Sequence, residues 1–168
     1  MNHASSPWQS DSPSAGREAA WASLVGTLVQ AGTLRTPRII EAFRNTPRSA
    51  FVPRDLADAA ASLDAPLPIG EGQTVSQPTT VATMLELVQP RPGDRVLDVG
   101  TGSGWQAALL AHCVGALGTV VTIERRPQIA RLAAEALDRR GARNLVTKVG
   151  DATRGVPEHA PYDVIISA

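Results

Sequence analysis

The run Arg95-Val-Leu-Asp-Val-Gly-Thr-Gly-Ser-Gly104 constrains the fold more than any other part of the chain. It leads from an apolar strand through a glycine-rich turn into a segment with the composition of a helix. Gly100, Gly102 and Gly104 let the backbone turn tightly and approach a ligand that a Cβ would push away. Such a ligand would lie at the carboxyl edge of a sheet, beside the free N–H groups of the next helix. The spacing is GxGxG rather than GxGxxG, and the acidic Asp98 is read as lying inside the turn, among the cofactor-contacting residues. A carboxylate there would face the pyrophosphate of a dinucleotide unfavourably. A ligand with a cationic centre and no phosphate suits it better.

The segments after the turn alternate. Arg95 to Val99, Thr119 to Glu124, Asn144 to Val149 and Tyr162 to Ala168 read as strands, and Gly104 to Val114 and Pro127 to Arg140 as helices. In the second helix Ile129, Leu132, Ala133, Ala136 and Leu137 share one side, and Gly141 is placed to end it. Strands alternating with helices imply right-handed crossovers. The predicted class is therefore α/β, a Rossmann-like, mostly parallel sheet with helices on both faces. The last strand closes the sequence with no turn behind it, which leaves an unpaired edge of the kind folds usually avoid. The C-terminal part of the sheet is thus expected to be missing from this chain, the alternative being an edge covered by the N-terminal helices or by another subunit.

Upstream lies an N-terminal helical segment. Residues Met1 to Gly16 are rich in Ser, Pro, Asn and Asp and are predicted to be a disordered leader. Trp21, Leu24, Val25, Leu28 and Val29 then form one helical face ending near Gly32. A short helix follows, with Thr36 as its cap, Pro37 in its first turn and Ile39, Ile40 and Phe43 on its buried side. Thr46 to Gly72 is proline-rich and reads as surface wrapping around a short helix from Arg54 to Leu63. Pro78 opens another helix, with Val81, Met84, Leu85 and Val88 on one face, until Pro90. The expected boundaries are a leader at 1–16, a helical segment at 17–90 and a ligand-binding core at 91–168, with 17–168 as one globular unit.

Composition narrows the function classes. The 16 basic and 16 acidic side chains cancel, so there is no electrostatic reason to expect general nucleic-acid binding. Cys113 is the single cysteine, too few for an internal disulfide or a cysteine-rich metal site, so no metal is expected and the chain reads as cytoplasmic. No apolar run is long enough to span a bilayer. His3, His112 and His159 are scattered, and no Ser/His/Asp arrangement emerges from the order of residues. The oligomeric state is left open.

Two further anchors follow the glycine turn. Glu124 ends the next strand, where an acidic group can accept both hydroxyls of a ribose. Gly150-Asp151 follows the strand after that, where a carboxylate can accept the exocyclic amine of adenine. Each has a plainer alternative: a structural turn at Gly100 to Gly104, a helix cap at Glu124 and a loop residue at Asp151. Three anchors in order at successive strand ends point to adenosine carrying a positive charge without phosphate, which describes S-adenosyl-L-methionine.

The sequence resembles the class I S-adenosylmethionine-dependent methyltransferases and, more narrowly, the protein-L-isoaspartate O-methyltransferase family. The narrower likeness rests on Pro47-Arg48 with Phe51-Val52-Pro53 and on the run Pro66-Leu-Pro-Ile-Gly-Glu-Gly-Gln-Thr-Val-Ser-Gln-Pro78. The blocks Pro92 to Ala108 and Pro157 to Asp163 continue it in register. The resemblance implies that Gln73, Thr74, Val75 and Ser76 lie beside the cofactor and the acceptor carboxylate, with Ser76 as the active-site serine. It also implies cofactor contacts at Gly100, Glu124, Asp151 and Ala152. The sequence departs from the family pattern at Ser62, Thr79 and Ala152, where tyrosine, an aromatic or histidine, and glycine are usual.

The implied activity is methylation of the carboxylate of L-isoaspartyl residues in damaged proteins or peptides. The ester formed is expelled by the neighbouring amide as a succinimide that can reopen to aspartate, a repair of aged proteins. Ser76 then reads as a donor orienting the acceptor, with a cap for the helix at Pro78 as its structural alternative. Three other functions stay open: methylation of tRNA through a basic surface of Arg125, Arg126, Arg139, Arg140 and Arg143, methylation of a dedicated peptide precursor, and a truncated non-catalytic cofactor-binding or interaction module.

Overall fold

The computed structural model describes Trp8 and residues 14–167. Most of the predicted leader lies outside these residues. Helix α1 (Ala15–Gln30) begins within the predicted leader, where the Ser14 hydroxyl accepts the N–H of Arg17 at 3.3 Å. Trp8 is buried, and its carbonyl accepts from the Arg139 guanidinium at 3.0 Å.

Helix α2 (Pro37–Asn45) starts as expected at Pro37, but Thr36 does not cap it. The Thr36 hydroxyl instead donates to Glu86, whose carboxylate also accepts the N–H groups of Arg35 and Thr36 at 2.8 Å each. Trp21, Phe43 and Trp105 form an aromatic knot, with Trp21 stacked on Phe43 and both edge-on to Trp105. Their indole N–H groups reach the carbonyls of Phe43 and Thr46, so the helical segment is docked in a fixed orientation on the first turn of helix α5 (Trp105–Val114).

The expectation of surface wrapping between Thr46 and Gly72 fails. Phe51, Val52, Ala60, Leu67 and Ile69 are all buried, and the short helix is a 3-10 turn at Arg54–Leu56 running into α3 (Ala57–Ser62). Strands β1 (Leu67–Gly70) and β2 (Gln73–Val75) form an antiparallel hairpin with an irregular register between Pro68 and Gly70. They are too short to show an alternating pattern in sequence.

Helix α4 (Pro78–Val88) leads into the main sheet, which comprises β3 (Arg95–Val99), β4 (Thr119–Glu124), β5 (Leu145–Val149) and β6 (Val164–Ser167). All pairs are parallel, in the order β5-β4-β3-β6. The steps from β3 to β4 and from β4 to β5 run the same way, so right-handed crossovers put α5 and α6 (Pro127–Arg139) on one face. That face holds the large core, from Val96 and Val120 to Leu109, Leu110 and Ile129. The step from β5 to β6 runs back across the sheet and crosses on the other face. The expected helical cover is met there by short 3-10 turns at Ala152–Arg154 and Pro157–His159, whose neighbours Val156 and Tyr162 pack against Leu97, Val121 and Ile123. The order reverses at β3, so the carboxyl end of β3 is the switch point at which open α/β sheets take their ligands.

Candidate active site

The glycine turn hangs from the end of β4. The N–H groups of Gly100 and Thr101 both donate to the Ile123 carbonyl, at 3.0 and 3.2 Å, and Gly100 takes a φ of 91°. Glu124 follows Ile123, and its side chain is pinned from two sides. One carboxylate oxygen accepts the N–H of Gly102 at 3.1 Å and the other that of Arg126 at 3.0 Å. Each oxygen keeps a lone pair, so a buried, preoriented acceptor pair remains. At the end of β5 the Gly150 N–H donates to the Glu124 carbonyl. Next to it the exposed Asp151 carboxylate accepts the N–H of Thr153 at 3.0 Å, a bond that holds its pKa below the ordinary value.

These strand ends open on one cleft. A cavity of about 460 Å³ is lined by Gln73, Gly100, Glu124, Arg125, Asp151 and Ala152, with Val99, Ile123, Gly150 and Thr153 completing the wall. A second cavity, of about 30 Å³, shares Gly100 and is lined by Thr74, Val75, Ser76, Gly102 and Gln106 among others. The hairpin thus brings the Gln73 to Ser76 run to the glycine turn. An acceptor pair at Glu124 and a second carboxylate at Asp151, within one cavity of nucleoside size, form a donor-seeking wall suited to ribose hydroxyls and an adenine amine.

Two of the predicted site residues line neither cavity. Asp98 is fully buried in β3, where it accepts from Gln106 Nε2 at 2.8 Å and from Thr122 Oγ1 at 2.7 Å. Burial pushes its carboxyl up to about 6. Through these bonds it braces the sheet to α5. Gly104 faces α6: a Cβ there would come within 3.1 Å of Leu137 Cγ, so this glycine serves helix packing.

Ser76 lines the smaller cavity, and its hydroxyl has no hydrogen-bond partner among the described residues. The alternative of a cap at Ser76 is not met, because the N-cap position is Gln77 and the carboxylate of Asp64 accepts both the N–H and the hydroxyl of Thr79. Thr79, which departs from the family pattern, is thereby part of the start of α4.

Sequence reasoning missed the role of Arg48, noted only as a motif letter. Its guanidinium is completely buried and donates to the carbonyls of Ala60, Leu63, Ala65 and Ser76 at 2.8 to 3.3 Å while lying over the Trp105 ring. Desolvation lowers its pKa to about 10. One side chain thus holds the loop before the hairpin, the backbone of Ser76 and the start of α5 together. Its acceptors are backbone carbonyls, which carry no mark in sequence.

The scattered histidines stay scattered: His3 lies outside the described residues, His112 is exposed, and His159 sits on a 3-10 turn beyond β5. Among the described residues no group of three His, Cys, Asp or Glu side chains is placed to hold a metal, and no helix is long and apolar enough to cross a membrane. Of the suggested basic surface, Arg139 and Arg140 donate to the Trp8 and Asn45 carbonyls and Arg126 lies 3.8 Å from Glu71.

Comparison with known proteins fits this architecture. The protein-L-isoaspartate O-methyltransferase of Methanopyrus kandleri is 49% identical over 144 residues, 85% of this chain and 63% of the relative. Protein-L-isoaspartate O-methyltransferase 1 of Rhodopseudomonas palustris is 46% identical over 145 residues, 86% of this chain and 58% of the relative. The chain therefore spans roughly three fifths of the length of these relatives. A solved protein-L-isoaspartate O-methyltransferase superposes with a TM-score of 0.80 at 33% identity, covering 87% of this chain and 47% of that one. A Plasmodium falciparum structure solved with S-adenosyl-L-homocysteine gives 0.77 at 21% identity, over 88% and 72%, and speaks for the fold. A model of the family described as protein-L-isoaspartate(D-aspartate) O-methyltransferase matches residues 19–168, from α1 through all three strand-end anchors, and the chain belongs to that family.

Proposed function

We propose that the chain is the cofactor-binding and acceptor-positioning part of an S-adenosyl-L-methionine-dependent methyltransferase acting on the carboxylate of L-isoaspartyl residues in proteins or peptides. The observation that carries this reading is the convergence of Gly100, Glu124 and Asp151, from the ends of three successive strands, on one cavity that also holds Gln73. Glu124 would accept the two ribose hydroxyls with its remaining lone pairs, and Asp151 the adenine amine, with Ala152 and Gly100 lining the same cavity. Gln73, Thr74 and Val75 would close the cleft from the hairpin side. When bound, the cofactor supplies an electrophilic methyl group carried on a sulfonium.

The acceptor carboxylate is already ionised at neutral pH, so the chain has little acid or base work to do. Its task is to orient that carboxylate and keep water away. The unpartnered Ser76 hydroxyl is suited to donate to it, and Arg48 fixes the Ser76 backbone through the carbonyl at 3.1 Å. Family membership supports the isoaspartyl acceptor over a tRNA, as does the engagement of Arg139 and Arg140 with backbone carbonyls.

The test is to incubate the chain, and a longer form matching the length of its relatives, with methyl-labelled cofactor and matched isoaspartyl, aspartyl and tRNA substrates. Labelling of the isoaspartyl peptide alone is expected. Equal labelling of the aspartyl peptide, or labelling of tRNA, would sink the acceptor assignment.

A further inference from the structure

Two adjoining cavities lie at the edge of the sheet opposite the cleft. One, of about 210 Å³, is bounded by Asn45, Thr46 and Arg140, and the other, of about 590 Å³, by Gly118, Thr119 and Arg143. His112 and Asn144 belong to the walls of both. Strand β4 separates them from the strand-end site, because Thr119 begins it and Glu124 ends it, roughly 17 Å apart along the strand. The methyl-donor reading uses none of the residues of these walls.

The walls are fixed by side chains bonded to backbone. Asn144 Nδ2 donates to the carbonyls of Ala111 and Gly115 at 2.9 Å each, which clips the end of α5, and Arg140 donates to the Asn45 carbonyl at 2.8 Å. The Val114 carbonyl accepts the N–H of Gly93, and that of Gly115 also accepts the N–H of Gly118. The carbonyls that give the end of α5 its negative character are thus answered by donors.

What remains is donor capacity. Arg140 keeps N–H groups beyond the one it uses, and neither Arg143 nor His112 has a hydrogen-bond or ion-pair partner among the described residues. Among the described residues no Asp or Glu lines either cavity. Asp94, whose carbonyl accepts the N–H of Thr119, turns its carboxylate to the N–H of Arg91. Two guanidinium groups and an imidazole therefore border one open space without a counter-charge, which attracts an oxyanion and repels a cation.

Phosphate suits this arrangement better than carboxylate. One guanidinium fork satisfies both oxygens of a carboxylate, whereas donors from three places in the chain match the several oxygens of a phosphate. The space exceeds that of the ion itself and has the size of a small-molecule site. We propose that these cavities are a second binding site, for a phosphate group that is free or carried as a monoester by a small molecule, with Arg140, Arg143 and His112 as its donors.

The test is to titrate the chain with inorganic phosphate, glycerol phosphate and acetate while following backbone amide shifts by nuclear magnetic resonance. Shifts are expected at Ala111 to Gly118 and Gly141 to Asn144, with a dissociation constant of about 1 mM or tighter for a phosphate compound. Arg143→Ala breaks no contact in the fold and is expected to weaken phosphate binding at least about fivefold, about 1 kcal/mol, while leaving S-adenosyl-L-homocysteine affinity as in the parent. Arg154→Ala removes the same charge from a turn beyond the other end of β5 and should leave phosphate binding unchanged. Tighter binding of glycerol phosphate than of phosphate would support a monoester as the ligand, and equal or weaker binding would support the free ion. The proposal is overturned if those amides do not respond at about 10 mM phosphate, if acetate binds as well, or if Arg154→Ala weakens binding as much as Arg143→Ala. A response of the same amides to a single-stranded RNA and to neither phosphate compound would overturn it in favour of a nucleic-acid surface.

Discussion

Glu124 accepts the backbone N–H of Gly102 at 3.1 Å, so the last residue of β4 and the glycine turn after β3 are joined by a side chain that still has acceptor capacity toward the cleft. Because its second oxygen holds the Arg126 N–H, the carboxylate cannot rotate away. Glu124→Ala is expected to weaken S-adenosyl-L-homocysteine binding at least about tenfold, about 1.4 kcal/mol, by calorimetry. Glu124→Gln should lose much of the same affinity, since its NH₂ must oppose one of the two N–H donors. Unchanged affinity in both would remove the ribose role.

For Ser76 the expected signature is a split between chemistry and binding. Its hydroxyl has no partner among the described residues and caps nothing, so Ser76→Ala should leave cofactor affinity and melting temperature near those of the parent while lowering turnover on an isoaspartyl peptide. A normal turnover would mean that the hydroxyl does not touch the acceptor.

Arg48→Lys tests the hub. Lysine keeps the charge but has no planar fork, so it cannot serve the carbonyls of Ala60, Leu63, Ala65 and Ser76 together. Losing two charge-assisted bonds in a buried site costs about 3 kcal/mol or more, which corresponds to roughly 6–12 °C in melting temperature for a chain of this size. A melting temperature within 2 °C of the parent, allowing roughly that error, would show that the loop is held by something else.

What could be read from residue order is what depends on local pattern. The strand and turn from Arg95 to Gly104 carry their own apolar run and glycines, and Glu124 announces itself by ending a strand. Asp98 is legible in the sequence only as an acidic residue at that turn, and its burial behind the turn is not. Its neighbours come from the pairing of Asp98 with Thr122 across β3 and β4 and from Gln106 in the first turn of α5, relations that exist only once the sheet is assembled. The β1-β2 hairpin was hidden for a different reason. Prolines at 66 and 68 and two very short strands look like loop, whereas the burial of Leu67, Ile69 and Val75 is set by the core that the rest of the chain supplies.

Asp98 also makes stability depend on pH in a direction opposite to that of most carboxylates. Burial raises its pKa from 3.8 to about 6, so the folded protein holds its proton more tightly than the unfolded chain does. That contribution is complete below about pH 3.8 and is lost as the pH rises through about 6. Asp98→Asn lacks the titration, so the variant's melting temperature relative to the parent should climb between pH 4 and 7. A difference that stays constant over that interval would show that Asp98 does not titrate there.

Gly104 separates packing from binding within the glycine turn. It begins α5 with a φ of 86°, and a Cβ there would meet Leu137 Cγ and Cδ1 at 3.1 and 3.2 Å and Ala133 Cβ at 3.5 Å. An alanine would therefore carry two costs, the left-handed backbone and the crowding of α6, together about 2–4 kcal/mol. Trimming the facing side chain relieves the crowding and not the backbone, so Leu137→Ala combined with Gly104→Ala should be less destabilising than the sum of the two single changes. Gly102 differs, because its Cβ would meet nothing closer than 3.9 Å and its N–H is the one held by Glu124. Gly104→Ala should accordingly lower the melting temperature while folded material retains its affinity for S-adenosyl-L-homocysteine to within about threefold, a change of under about 0.7 kcal/mol. Loss of affinity well beyond that, without loss of stability, would return Gly104 to the ligand side of the turn.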